Sequence, residues 1–69
     1  MKIEYDIISP DGFSIGLEPF KCEEEDFDSE VKTKIEEFKK RFERQGYYSS
    51  NEGRIALDDL EDFLTIKKL

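Results

Sequence analysis

Carboxylates are the side chains with the greatest capacity for chemistry here, and they gather in two runs. Glu23, Glu24, Glu25, Asp26 and Asp28 form the first, and Asp58, Asp59, Glu61 and Asp62 the second. Acids at this density could hold a hard cation, share a proton as an acid/base pair, or imitate the phosphates of a nucleic acid. Neither run has the alternating acids, central Gly and distal Glu of a calcium-binding helix–loop–helix. An acid/base pair needs one carboxylate desolvated in a cleft, and one helix over one small sheet has little to build a cleft from. Capping and solvation account for both runs, since acids in a first helical turn complement its positive end. No metal is assigned to either.

The remaining chemical groups are few. There is no His, so the commonest general base, the commonest zinc ligand and the usual activator of Ser or Cys are all missing. Cys22 sits among acids, which raise a thiol's pKa and blunt its nucleophilicity. It is most simply a small buried filler. As a lone cysteine it forms no internal disulfide, which points to a reducing compartment, the cytoplasm. The four glycines are isolated and make no phosphate loop. The expectation is a non-enzymatic protein with no catalytic residues and no cofactor.

Gln45-Gly46-Tyr47-Tyr48-Ser49-Ser50-Asn51 is the segment least explained by folding. Adjacent residues of an extended chain face opposite ways, so one tyrosine is expected inside and the other displayed. Displayed Tyr with Ser and Asn is the composition of a recognition surface. The alternative is that both rings close the open end of the core with their hydroxyls in water. Arg54, isolated among Glu52, Asp58, Asp59 and Asp62, is expected to form an ion pair tying this loop to the acidic turn. Tyr47, Tyr48, Ser49, Ser50, Asn51 and Arg54 are therefore the candidate partner-binding residues.

With 18 Asp and Glu against 11 Lys and Arg, the chain carries a formal charge of -7. That balance works against binding a phosphate backbone, which draws affinity from Lys and Arg. The helix cations Lys32, Lys34, Lys39, Lys40, Arg41 and Arg44 scatter around its circumference, so direct nucleic-acid binding is not expected. The converse stands as the second reading. Glu23, Glu24, Glu25, Asp26, Asp28, Asp58, Asp59 and Asp62 could together mimic nucleic acid and occupy the basic groove of a DNA-processing or defence enzyme.

The elements that must position these residues follow from pattern. Residues 1–8 alternate apolar and charged, the period-2 signature of a half-buried strand. Ser9-Pro10-Asp11-Gly12 has turn chemistry, and a three-residue loop would set Ser9 against Phe13, Ile7 against Ile15 and Tyr5 against Leu17. Phe27, Val31, Ile35, Phe38 and Phe42 form one stripe, so an amphipathic helix is expected over residues 27–45, stopped by Gly46. Glu30–Lys34, Glu36–Lys40 and Glu37–Arg41 are i,i+4 pairs in the favoured order, and Asp26, Asp28 or Ser29 can cap. Residues 47–53 read as irregular loop, 57–60 as a helical turn and 63–69 as a third strand. The result is a single α+β domain over residues 1–69, ββαβ, with one amphipathic helix packed on a three-stranded, mainly antiparallel sheet, in which the first strand is central if the last returns beside it.

The residues Gln45-Gly46-Tyr47-Tyr48-Ser49-Ser50, then Gly53-Arg54-Ile55, Leu57 and Leu60, resemble a C-terminal pattern of small uncharacterised accessory proteins from Bacteroides-like bacteria and their phages. The resemblance covers the last third of the chain. It implies a cytoplasmic accessory protein, carried on a mobile element, and transfers no catalytic residue. No apolar run approaches the roughly 20 residues of a membrane span. The expected partner is a protein, with homodimerisation by edge-strand pairing as a further route to association.

Overall fold

The computed structural model describes all 69 residues. Alternation along the first segment produces strand β1 (Lys2–Ile8), with Tyr5 and Ile7 fully buried on its inner face. β1 is the centre of a three-stranded antiparallel sheet, flanked by β2 (Phe20–Glu23) and β5 (Thr65–Lys68). Its central place, antiparallel to both neighbours, agrees with the sequence pattern.

The second strand is not where alternation puts it. The turn itself closes as its residues dictate: Gly12 has φ +89°, the Ser9 N–H donates to the Phe13 carbonyl at 2.6 Å, and the Ile15 N–H donates to the Ile7 carbonyl at 2.9 Å. Ile8 opposes Ser14 in the expected register, and there the ladder stops. The chain leaves the sheet through residues 16–19 and rejoins it with Phe20, not Leu17, opposite Tyr5. What each residue offers the core explains the step. The Phe20 ring centroid lies 5.4 Å from that of Tyr5, and its Cζ lies 2.8 Å from where a Cβ on Gly16 would stand. Pro19 has no N–H to give a ladder. Phe13 and Leu17, expected inside, are 71% and 106% exposed instead.

Helix α1 (Phe27–Lys40) presents the anticipated stripe, with Ile35 and Phe38 buried and Phe27, Val31 and Phe42 half-buried. It ends before residue 45 because the N–H groups of Arg41, Phe42 and Glu43 bond to carbonyls three residues back, tightening the coil into turns. Gly46, at φ +80°, terminates those turns with its N–H on the Phe42 carbonyl at 2.9 Å. No side chain caps the start of the helix. A 3₁₀ turn, Glu24–Asp26, leads in, and the Ser29 hydroxyl donates to the Asp26 carbonyl at 3.0 Å. None of the three i,i+4 pairs forms. Lys39 reaches Glu36 at 3.8 Å and Glu61 at 4.0 Å, while Lys34 and Arg41 lie over the rings of Phe20 and Phe38.

Residues 47–53 are not irregular. Strands β3 (Tyr47–Ser50) and β4 (Gly53–Ala56) make an antiparallel hairpin across Asn51 and Glu52, a second sheet absent from the ββαβ expectation. A helical turn, α2 (Leu57–Leu60), and a 3₁₀ turn, Glu61–Phe63, lead to β5. Leu60 is fully buried, as the turn's pattern requires.

The apolar interior has two centres. Tyr5, Ile7 and Ile35 form one beneath the three-stranded sheet, and Phe38, Tyr48 and Leu60 form the other beneath the hairpin. Helix α1 runs under both, and Ile15 and Leu64 pack against both. The molecule is correspondingly long, 38 × 19 × 19 Å. No helix is long and apolar enough to cross a membrane.

Candidate functional site

The hairpin is fastened by a residue far away in sequence. The Tyr48 hydroxyl donates to Oδ2 of Asp11 at 2.9 Å, and the Asn51 N–H donates to Oδ1 of the same carboxylate at 2.8 Å. Asp11 is itself held by the turn residues: its N–H and that of Phe13 donate to the Ser9 Oγ at 3.3 and 3.1 Å. Burial pushes the Tyr48 phenol above its ordinary 10.0, and the bond to Asp11 adds to that by favouring the protonated form, with Ser9 opposing.

The two tyrosines divide as alternation along a strand demands. Tyr48 is 8% exposed and meets the rings of Phe38 and Phe42, whereas Tyr47 is half-buried on the outer face. Arg54 does not form the expected ion pair. Its guanidinium lies 4.7 Å from the Tyr47 ring centroid, and no carboxylate comes within 4.0 Å of it. The pairing of Tyr47 with Ala56 and Ser49 with Arg54 puts those four residues on one face of the hairpin. Ser50 braces the tip, donating to the Gly53 carbonyl at 2.6 Å and accepting the Glu52 N–H at 3.3 Å.

Between the 9–12 turn and the hairpin runs a groove of about 370 Å³, walled by Pro10 and Asp11, by residues 50–55 and by Phe63. Of the six candidate residues, Ser50, Asn51 and Arg54 meet at it, Tyr48 lies behind it, and Tyr47 and Ser49 do not line it. Asp11 and Phe63 were missed from sequence. Asp11 reads as an ordinary turn residue, and nothing local signals a contact 40 positions away. Phe63 reads as the first residue of the last strand, yet it closes a 3₁₀ turn and remains 53% exposed.

The acidic candidates fall into separate places. Glu23 takes the N-terminal ammonium at 3.2 Å, Glu24, Glu25 and Asp26 form the 3₁₀ turn, and Asp28 sits in the first turn of α1. Asp58 and Asp59 open α2, and Asp62 lies in the turn after it. The first group is at the start of α1, while Asp58 lies beside Lys39, Lys40 and Glu43 near its end. The 14 residues between those ends span roughly 21 Å. No three carboxylates converge where they could hold a metal ion.

Cys22 is half-buried on β2 against the Tyr5–Ile7–Ile35 centre. Burial raises its thiol pKa above 9.0, and Glu30, Asp26 and Glu23 raise it further. Tyr5 is the unusual neighbour, because its hydroxyl is wholly buried and has no hydrogen-bond partner. No protein-family profile, curated protein or solved structure matches the chain.

Proposed function

We propose that the chain is a small non-enzymatic binding module that engages another protein through the β3–β4 hairpin and its adjoining groove. The observation that carries this reading is the convergence of Ser50, Asn51 and Arg54 on one concave surface that Asp11 holds in shape. A guanidinium stacked on Tyr47 beside the groove and a half-exposed Phe63 within it offer a partner both polar donors and apolar area. A reducing cytoplasm suits its single thiol.

Affinity capture from the native host, comparing the wild type with two variants, tests the proposal. Asn51→Ala/Arg54→Ala alters the hairpin surface, and Glu24→Gln/Asp28→Asn alters the acidic start of α1. A partner retained by the second variant and lost by the first supports hairpin docking. Loss by the second variant, with binding abolished between 50 and 300 mM salt (a span over which the Debye length falls from roughly 14 to 6 Å), would refute it and favour phosphate mimicry. Exposed Ile66 and Leu69 beside the free edge of β5 favour self-association there as a second reading. Light scattering at twice the monomer mass, lost on Ile66→Lys, identifies it.

A further inference from the structure

The hairpin has two outer edges, and the chain treats them differently. The turn across Asn51 and Glu52 makes Ser50 and Gly53 a hydrogen-bonded pair, so Tyr48 and Ile55 form the next bonded pair. Tyr47, Ser49, Arg54 and Ala56 then direct backbone groups outward. On the β3 side the outward Tyr47 carbonyl is covered, accepting from the Gln45 side-chain amide at 2.7 Å. On the β4 side no further strand pairs, and Gly53, Arg54 and Ile55 of that edge strand line the groove.

We infer that the open edge of β4 accepts an extended, basic peptide segment of a partner protein as a third strand, an inference that rests on the protein-docking reading above. An unpaired strand edge supplies main-chain donors and acceptors in a fixed repeat, which is the physical basis of strand addition. Pro10, Asp11 and Phe63 complete the groove lining, and Phe63 gives one apolar contact for an alternate side chain of the incoming strand. Charge selects the occupant. Of the charged residues that line the groove, Asp11 and Glu52 are acidic against Arg54 alone, and the whole chain is at -7. Arg54 does not offset this within the groove, because its guanidinium is laid over Tyr47 on the outer face. Lysines projecting from the edges of an added strand would meet that acidic surround.

The test uses a short fluorescein-labelled peptide alternating Val and Lys, its Val/Glu counterpart, and a Val/Lys version N-methylated at every second residue. Anisotropy and amide chemical shifts are recorded on the intact protein. Expected are binding of the Val/Lys peptide with shifts centred on residues 53–56, no binding of the Val/Glu peptide, and a loss of roughly tenfold or more on N-methylation. Arg54→Pro, which deletes an outward N–H from an edge, should weaken binding likewise at unchanged melting temperature. If that variant unfolds, the methylated peptide alone decides. Equal binding of the methylated peptide, or shifts centred on β2 or β5, would overturn the inference. Should the Val/Lys peptide leave β4 unmoved while Asn51→Ala/Arg54→Ala still abolishes capture, strand addition is wrong and hairpin docking stands. If both measurements fail, both readings fall.

Discussion

The same substitution, Tyr to Phe, should move stability in opposite directions at the two buried tyrosines. Tyr5 is 0% exposed, and its hydroxyl has no partner. Burying a hydroxyl without a compensating hydrogen bond costs about 1–3 kcal/mol. Its ring packs at 5.4 Å from Phe20 and 5.2 Å from Phe27, contacts that phenylalanine keeps. Tyr5→Phe should therefore stabilise the protein by about 1 kcal/mol, allowing for the small void left behind. Tyr48, 8% exposed, donates to a carboxylate at 2.9 Å, so Tyr48→Phe forfeits a charge-assisted bond and should cost about 1–2 kcal/mol. A chain this size draws roughly 3–5 kcal/mol from its core, so either change is a large fraction of the whole. Each kcal/mol moves the melting temperature of such a domain by roughly 4–8 °C. Urea denaturation followed by far-ultraviolet circular dichroism, with unchanged m, reads both shifts. Movement of the two variants in the same direction would refute the reasoning.

Four other perturbations bear on the same framework. Asp11→Ala removes the acceptor of two bonds and strands the Tyr48 hydroxyl, and should destabilise by about 2–3 kcal/mol in the same urea titration. Both phenols have folded-state pKa values raised above 10.0, by burial first in each case. The unfolded phenols thus ionise before the folded ones, and their contribution to stability is present below pH 10.0 and lost as pH climbs through the raised values, on top of the decline that the raised Cys22 thiol begins from pH 9.0. Melting curves across that range should show the decline, and Tyr5→Phe/Tyr48→Phe should flatten it. Gly16→Ala places a methyl 2.8 Å from the Phe20 Cζ and should cost about 1–2 kcal/mol, whereas Leu17→Ser, at a fully exposed position, should stay within about 0.5 kcal/mol of wild type.

How far the sequence could be read depended on how local each determinant was. β1 and α1 were legible because their apolar residues repeat at 2 and at 3.6 over enough positions to outweigh any single contact. The 9–12 turn was legible for the same reason, since its residues dictate its dihedrals. The second strand was misplaced because Ile15 and Leu17 satisfy alternation as well as Phe20 and Cys22 do. The choice was made by the Phe20 ring seating on Tyr5, which is packing rather than pattern. The β3–β4 hairpin was missed because its turn lacks the usual Asn-Gly signal. Asn51 and Glu52 both keep negative φ, and the glycine needed at φ +129° comes afterwards, at Gly53. At the candidate site, local composition singled out residues 47–51 and Arg54, of which Ser50, Asn51 and Arg54 line the groove. Asp11, which fixes their arrangement, is a long-range partner without a sequence signature, and Arg54 preferred an aromatic face to the acids around it.

Helix α1 serves two roofs, and just two other residues, Ile15 and Leu64, are shared between the rooms below. Neither half is self-sufficient: a lone hairpin is barely stable in water, and the three-stranded half has β5 exposed along its length. Cooperativity in this chain is thus concentrated at a narrow waist. Trimming Ile15 or Leu64 would loosen the joint between the halves as well as weaken each of them. The hairpin end is tied to the rest by Asp11 and that waist, so loosening the waist would free the hairpin from the three-stranded half.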